Sequence, residues 1–330
     1  MIKAVALFSG GLDSTLAIKV IMEQGIEVIA LNFTSPFCRC DKNTGCGSAI
    51  SAMSKKLGVK CQRHYLADEY LEIIKNPKYG YGRNLNPCID CRILKFSLAK
   101  KFMEEVGASF LISGEVLGQR PMSQHRRALN IIEAETGLKG LILRPLSAKL
   151  FPLTIPENKG WVKRESLLAI SGRGRKPQMQ LASDYGINDY PCPAGGCLLT
   201  DPEFSRRLKD VIKEKVITIK DIELLKTGRY FKVGSSFRLT VGRNEKESNR
   251  LLNMGNKNDI LFEPVSLPGP TALGRGIFSD EIKDKCYQII ARYTSLEEKV
   301  EVRSKFLFDD HQEVAIVGAM GEEELSQLRF

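Results

Sequence analysis

The 330 residues carry 49 Lys and Arg against 39 Asp and Glu, a formal charge of +10, and 43% of them are hydrophobic. That length exceeds one ordinary domain and that composition excludes a disordered chain, so two or three folded domains are expected. The first apolar run, Ala4-Val5-Ala6-Leu7-Phe8, is too short to span a bilayer and lacks a signal peptide's basic start and cleavage region. A cytoplasmic protein with no membrane partner is expected. In a reducing compartment the nine cysteines read as metal ligands or sulfur-handling thiols before structural disulfides. The positive balance favours a polyanionic partner, with a plain soluble basic surface as the alternative.

In chain order, a buried strand is expected at 3–8, then a Gly-rich turn, a helix over 13–24 and a second strand at 27–32. A helix between two short apolar runs is a parallel crossover. Helices follow at 49–57 and within 88–106, and a short strand at 110–113 runs into Gly114-Glu115. The expected fold class is α/β, an open doubly wound parallel sheet with ligands at the carboxyl ends of its strands. After 141–146 the character changes; a helix is expected at 163–171 and a loop at 172–177. From about 226 onward, alternation in Tyr230-Phe231-Lys232-Val233 and Phe237-Arg238-Leu239-Thr240-Val241 predicts strands, and 244–254 a polar helix. The chain is thus divided into 1–160, a basic linking segment 161–225, and a smaller α+β domain 226–330.

Between the first strand and first helix stands Ser9-Gly10-Gly11-Leu12-Asp13-Ser14. Glycines let the backbone approach phosphate, the amides of a helix N-terminus favour anionic charge, and Ser9 and Ser14 can donate hydroxyl hydrogen bonds. It is not a Walker loop, because the Gly-Lys-Ser/Thr ending is absent. The hexapeptide resembles the Ser-Gly-Gly-x-Asp-Ser motif of the PP-loop ATP pyrophosphatases, and the resemblance implies an adenine nucleotide alpha hydrolase-like fold for 1–160. It implies that Phe8, Ser9, Gly10, Gly11, Asp13 and Ser14 take the phosphates of ATP, that Asp13 acts catalytically beside Mg²⁺, and that adenine lies beside Leu31-Asn32-Phe33, with Gly114-Glu115 closing the other side. In that family a substrate carbonyl oxygen attacks the α-phosphate and is adenylated.

Asn86-Pro87-Cys88-Ile89-Asp90-Cys91 begins a helix, and its spacing brings two thiols to one side of a turn. Cys197, in Pro193-Ala194-Gly195-Gly196-Cys197-Leu198, is a third candidate, with Cys192 as its competitor. Three thiolates with one open iron position suit a [4Fe-4S] cluster that binds sulfide, whereas four would describe a closed zinc site. A Cys-x-x-Cys plus a distant cysteine is similar to the iron–sulfur-dependent tRNA thiouridine synthetases, and this resemblance implies Cys88, Cys91 and Cys197 as ligands. A persulfide route, with Cys91 and Cys197 as carrier and disulfide-forming partner, and reduced cysteines packed as small hydrophobes stay open. Cys38, Cys40 and Cys46, with Cys61 or His64, could bind zinc or line a substrate-facing loop; Cys286 reads as a core residue.

Gly114-Glu115-Val116-Leu117-Gly118-Gln119 and Leu143-Arg144-Pro145-Leu146 resemble segments of the tRNA 4-thiouridine synthetases, over roughly the first half of the chain. The rhodanese and N-terminal RNA-binding regions often attached to that family are not found in these residues, so sulfur is expected from sulfide or a separate donor protein. Arg120, Arg126 and Arg127, with His125 as a surface neighbour, form one basic stretch, and Arg173, Arg175 and Lys176, after Lys163 and Arg164, form another; both are expected to track RNA phosphates. Val241-Gly242-Arg243-Asn244, Asn249-Arg250-Leu251, Asp259-Ile260-Leu261-Phe262 and Pro268-Gly269-Pro270 resemble NFACT-R-type domains associated with RNA. The leading expectation is an ATP-dependent tRNA sulfurtransferase acting on uridine with ATP, Mg²⁺ and a [4Fe-4S] cluster. Its rivals are a PP-loop amidotransferase or ligase acting on a small molecule, and an RNA-binding module regulated by nucleotide; a homodimer is left open.

Overall fold

The computed structural model describes residues 2–38, 46–188, 190, 197–212, 217–294, 298–308 and 311–330, with the backbone alone at 46–49. The chain divides into two compact units, Met1–Thr200 and Asp201–Phe330.

The first unit is built on a parallel sheet of five strands, β1 (Lys3–Leu7), β2 (Glu27–Thr34), β3 (Lys60–Tyr65), β4 (Phe110–Ser113) and β5 (Ile142–Leu143), in the order β3-β2-β1-β4-β5. Successive residues of β1 serve opposite cores, because side chains alternate across a strand. Ala4 and Ala6, followed by Phe8, face a core with Leu12, Leu16 and Ile21 of α1 (Leu12–Met22) and Ile50 and Met53 of α2 (Cys46–Leu57). Val5 and Leu7 face the other core. There, after α3 (Asp68–Lys75), they meet Phe96, Ala99 and Met103 of α4 (Cys88–Glu105) and Ala128 and Ile132 of α5 (Arg126–Thr136). Both faces are covered, which explains the unbroken apolar runs Ala4–Leu7 of β1 and Phe110–Ile112 of β4. The chain leaves β1 toward β2 on one flank, while β4 lies on the other. The strand order therefore reverses between β1 and β4, and their carboxyl ends open the crevice where such sheets bind ligands.

Two expectations about 161–177 are corrected. After α6 (Ile155–Asn158), the expected helix at 163–171 is only a short 3₁₀ turn, Arg164–Ser166. The amides of Leu168 and Ile170 donate to Pro145 and Leu146 carbonyls, and Ser171 bridges Leu117, so the segment runs extended beside the sheet's last connections. The expected loop at 172–177 ends early, because α7 (Lys176–Asp184) starts at Lys176 with Pro177 in its first turn, where a missing N–H costs nothing. Val162, Leu167, Ala182 and Ile187 join the first core, so 161–188 is folded into the first unit and does not stand as a separate link.

In the second unit, α8 (Pro202–Ile212) and α9 (Ile219–Leu225) precede an antiparallel sheet of six strands. These are β6 (Arg229–Lys232), β7 (Arg238–Val241), β8 (Ile260–Pro264), β9 (Ala272–Arg275), β10 (Val300–Phe306) and β11 (Gln312–Val317), ordered β11-β10-β8-β9-β7-β6. Between β7 and β8, α10 (Glu245–Met254) begins where Asn244 Oδ1 accepts from Glu247 N, matching the helix expected there. Cys286, Tyr287, Ile289 and Ile290 of α11 (Asp280–Thr294) pack on Phe231, Leu239 and Phe262, so Cys286 is a core residue. Among the described residues no helix is long and apolar enough to cross a membrane.

Candidate active site

The loop after β1 is shaped by its own hydroxyls. Ser14 Oγ donates to Gly11 O at 2.9 Å and lies 3.1 Å from Ser9 Oγ, while Thr15 Oγ1 donates to the same Gly11 carbonyl at 3.0 Å. Gly10 adopts φ +74°, a conformation that glycine reaches without strain, and a Cβ there would meet Ile50 Cγ1 at 2.9 Å. At the other wall of the crevice Gly114 follows β4. A Cβ on Gly114 would lie 2.6 Å from the Ser14 backbone nitrogen, so only glycine lets the end of β4 touch the first turn of α1. Phe8, Ser9, Gly10, Gly11, Asp13, Ser14 and Gly114 are thus brought together as expected from the sequence.

At the end of β2, buried Asn32 donates from Nδ2 to Phe8 O at 2.7 Å, which ties the end of that strand to the loop. Asn32 Oδ1 is shielded from solvent and has no hydrogen-bond partner. Phe33 is half-buried, edge-on to His64 at 5.6 Å between centroids. Asp13 Oδ2 accepts from Gln119 Nε2 at 2.8 Å, whereas Asp13 Oδ1 is shielded and lacks a partner. Buried acceptors without donors are costly, and a water, an ion or a ligand is the ordinary partner of such atoms. Glu115, 1% exposed, is held by Arg144 Nε at 3.1 Å and Arg92 Nε at 3.5 Å, which fixes the chain just beyond Gly114.

The thiols gather beside this crevice. Cys88 and Cys91 sit in the first turn of α4, whose start is anchored where Asp90 accepts from the amides of Lys78 and Tyr79 at 2.9 and 3.1 Å. Cys197 is far off in sequence, yet it forms a β-bridge with Cys38, and Leu198 N donates to Phe37 O at 2.9 Å. Tyr70 of α3, 2% exposed, hydrogen-bonds Cys91 and faces Cys88 and Cys197; burial, then those thiols, lift its hydroxyl well above the usual phenol range. Burial pushes Cys197 up to about 12, with Cys91 and Cys38 adding to the rise, and burial likewise raises Cys88. These thiols stay protonated at neutral pH unless a metal takes their electron pairs. Among the described residues, no three His, Cys, Asp or Glu side chains are disposed to hold a metal ion. Cys192 and Cys40 lie outside the described residues, as does the side chain of Cys46, so the expected zinc group falls largely outside them; Cys61 stands half-buried on β3.

The basic residues part into two groups. Exposed Arg120 feels Arg92, Arg175, Cys88 and Asp13, and desolvation, then Arg92, lowers its pKa. Arg175 caps α7 and Lys176 begins it, with Arg173 exposed just before. Arg126 and Arg127 are exposed in the first turn of α5; Arg126 donates to Leu150 O at 2.9 Å and lies 5.0 Å over the Phe151 ring. His125 caps α5, its Nδ1 accepting from Ala128 N at 3.2 Å, which is a structural task. Sequence reasoning missed Tyr70, the role of Cys38 and the contacts of Gln119 and Gln178, because each depends on a pairing between elements that are separate in the chain.

Residues 2–149 match the family model described as Thiamine biosynthesis protein (ThiI), and residues 228–329 match that described as NFACT protein RNA binding domain. Among curated proteins, the chain is 38% identical over 125 residues to the tRNA-specific 2-thiouridylase MnmA of Nitratidesulfovibrio vulgaris, covering 35% of each. It is 30% identical over 155 residues to the Probable tRNA sulfurtransferase of Methanothermobacter thermautotrophicus, covering 44% of this chain and 36% of that one. A solved structure of a 4-thiouridine synthetase–RNA complex with bound ATP aligns at 22% identity and a TM-score of 0.38, over 68% of this chain and 52% of that one. The chain spans about a third of the length of the curated relatives it matches. The chain thus joins a segment similar to the ThiI family, residues 2–149, to one similar to NFACT RNA binding domains, residues 228–329.

Proposed function

We propose that the first unit thiolates a uridine of tRNA at the expense of ATP. The observation that carries this reading is the meeting, at one sheet switch point, of an intact Ser9–Ser14 loop with an unpartnered Asp13 oxygen and a group of half-buried thiols. Ser9, Gly10, Gly11 and Ser14 would hold the phosphates against the first amides of α1 and stabilise departing pyrophosphate. Asp13 would hold Mg²⁺ through its bare Oδ1, and Asn32 Oδ1 would accept from the adenine amino group. The uridine carbonyl oxygen attacks the ATP α-phosphorus, and the bond to pyrophosphate breaks. Sulfide then forms the carbon–sulfur bond, and AMP leaves with the former carbonyl oxygen. Adenylation turns a poor leaving group into a good one.

A [4Fe-4S] cluster fits the donor set, which is sulfur alone. Each iron of such a cluster takes its own thiolate, so thiols that face a shared space without meeting at one point suit it better than they suit a single zinc. Cys88, Cys91 and Cys197 would hold it, and it would supply an iron that carries activated sulfide. Tyr70 closes the thiol group from the α3 side and keeps water from it. Arg120, Arg173, Arg175 and Lys176, with Arg126 and Arg127, would follow the tRNA backbone, as would the NFACT-R-type domain. The division into a nucleotide-using 1–160 and an RNA-binding 226–330, the cytoplasmic setting, an external sulfur donor and a homodimer belong to the same proposal.

Anaerobic purification with iron and sulfide analysis and an absorption spectrum tests it, comparing wild type with Cys88→Ala, Cys91→Ala and Cys197→Ala. A cluster present in wild type and lost in all three supports it. Zinc or free thiols in its place point instead to the persulfide route through Cys91 and Cys197.

A further inference from the structure

Two amides stand in series behind Asp13. Gln119 Nε2 donates to Asp13 Oδ2 at 2.8 Å, and Gln178 Nε2 donates to Gln119 Oε1 at 3.2 Å. Gln178 is fully buried in α7, and Gln119 is half-buried in the connection after β4. An ionised carboxylate only accepts, so the amide nitrogen of Gln119 must face it; the Gln119 oxygen then needs a donor, and the Gln178 amide nitrogen supplies one. The direction of each bond follows from the charge on Asp13. The backbone makes the same connection, since Leu117 bridges Ser171 and Gly172 N donates to Leu117 O at 2.7 Å. Neither Oδ1 of Asp13 nor Oε1 of Gln178 has a hydrogen-bond partner, although both are shielded from solvent.

We infer that Gln119 and Gln178 are positioning residues, which occupy one oxygen of Asp13 and so reserve the other for the magnesium of bound ATP. The inference rests on the reading that the Ser9–Ser14 loop takes MgATP. A side chain free to turn would present either oxygen, whereas this one is committed at Oδ2 by a charge-assisted bond. Because the amides act in series, Gln178 reaches Asp13 only through Gln119. Removing both should therefore cost no more than removing Gln119.

The test is calorimetric titration of the full chain with ATP over a range of Mg²⁺ concentrations, for wild type, Gln119→Leu, Gln178→Leu and the double variant. A hydrogen bond to a charged group is worth roughly a tenfold change in an equilibrium, so Gln119→Leu should raise the Mg²⁺ needed for half-saturation about tenfold. Gln178→Leu, one bond further back, should raise it about threefold, and the double variant should match Gln119→Leu. Gln178→Met, unbranched and without a donor, reads the same step should Gln178→Leu fail to fold. A packing role lowers ATP affinity without changing its dependence on Mg²⁺. Variants that bind MgATP as wild type does, or a double variant with the product of the single effects, overturn the inference alone; a wild type that binds no MgATP overturns the reading of the loop with it.

Discussion

The two units treat their buried polar atoms differently. Around the first crevice, Asp13 Oδ1, Asn32 Oδ1 and Gln178 Oε1 are acceptors left without donors. In the second unit buried Asp259 and the half-buried carboxylates are met: Asp210 by Lys232 and Arg238, Asp259 and Asp221 by Arg275, and Glu223 by Lys226 and Arg250. Among the described residues there, what remains is the Thr240 hydroxyl and the Nε donors of Arg207 and Arg303. Open acceptors cost stability and are kept where a ligand completes them, while closed ion pairs fix geometry. By this measure the first crevice keeps open acceptors, while the second unit closes its carboxylates into ion pairs.

The largest effect that sharpens this contrast is expected at Gly114. Gly114→Ala drives a Cβ against the Ser14 backbone and displaces the phosphate loop, so ATP turnover should fall on the order of 100-fold, read as AMP release. In the second unit, Arg275→Leu leaves the buried Asp259 carboxylate without its partner and should cost about 3 kcal/mol in urea unfolding, with MgATP affinity unchanged. Asn244→Ala removes the cap of α10 and should cost about 1 kcal/mol in the same measurement. The smallest effect concerns pH. Burial alone would raise the Asp210 carboxyl, but hydrogen bonds from Lys232 and Arg238 hold it below the usual carboxylate range. A depressed folded-state value means the stabilisation is complete above the unfolded pKa and is lost as pH falls through the folded one. Lys232→Met should flatten that acid dependence in melts taken below pH 4, near the unfolded pKa of an aspartate.

The parts legible in the sequence are those whose cause is local. Ser9–Ser14 is contiguous, and glycines, hydroxyls and an acid in that order between strand and helix already describe the turn that the backbone makes. Cys88 and Cys91 could be placed on one helix turn by spacing alone. The meeting of Cys38 with Cys197 could not, because a β-bridge across the length of the first unit leaves no periodic trace. Gln119 was visible as part of a resembling segment, yet its bond to Asp13 depends on how β4 and α7 flank α1. The segment 163–171 was misread for the same reason: helical propensity there loses to carbonyls of Pro145 and Leu146 that need donors.

The central claim is that one site joins ATP cleavage to sulfur transfer, and its most direct test is a product count. Incubated without oxygen with tRNA, ATP, Mg²⁺ and sulfide, the wild-type chain should release AMP and pyrophosphate and yield one thiolated uridine per AMP, as read by nucleoside mass spectrometry. Cys197→Ala should form no thiolated nucleoside. AMP formed with ammonia in place of sulfide, or no AMP with any tRNA, would contradict the account.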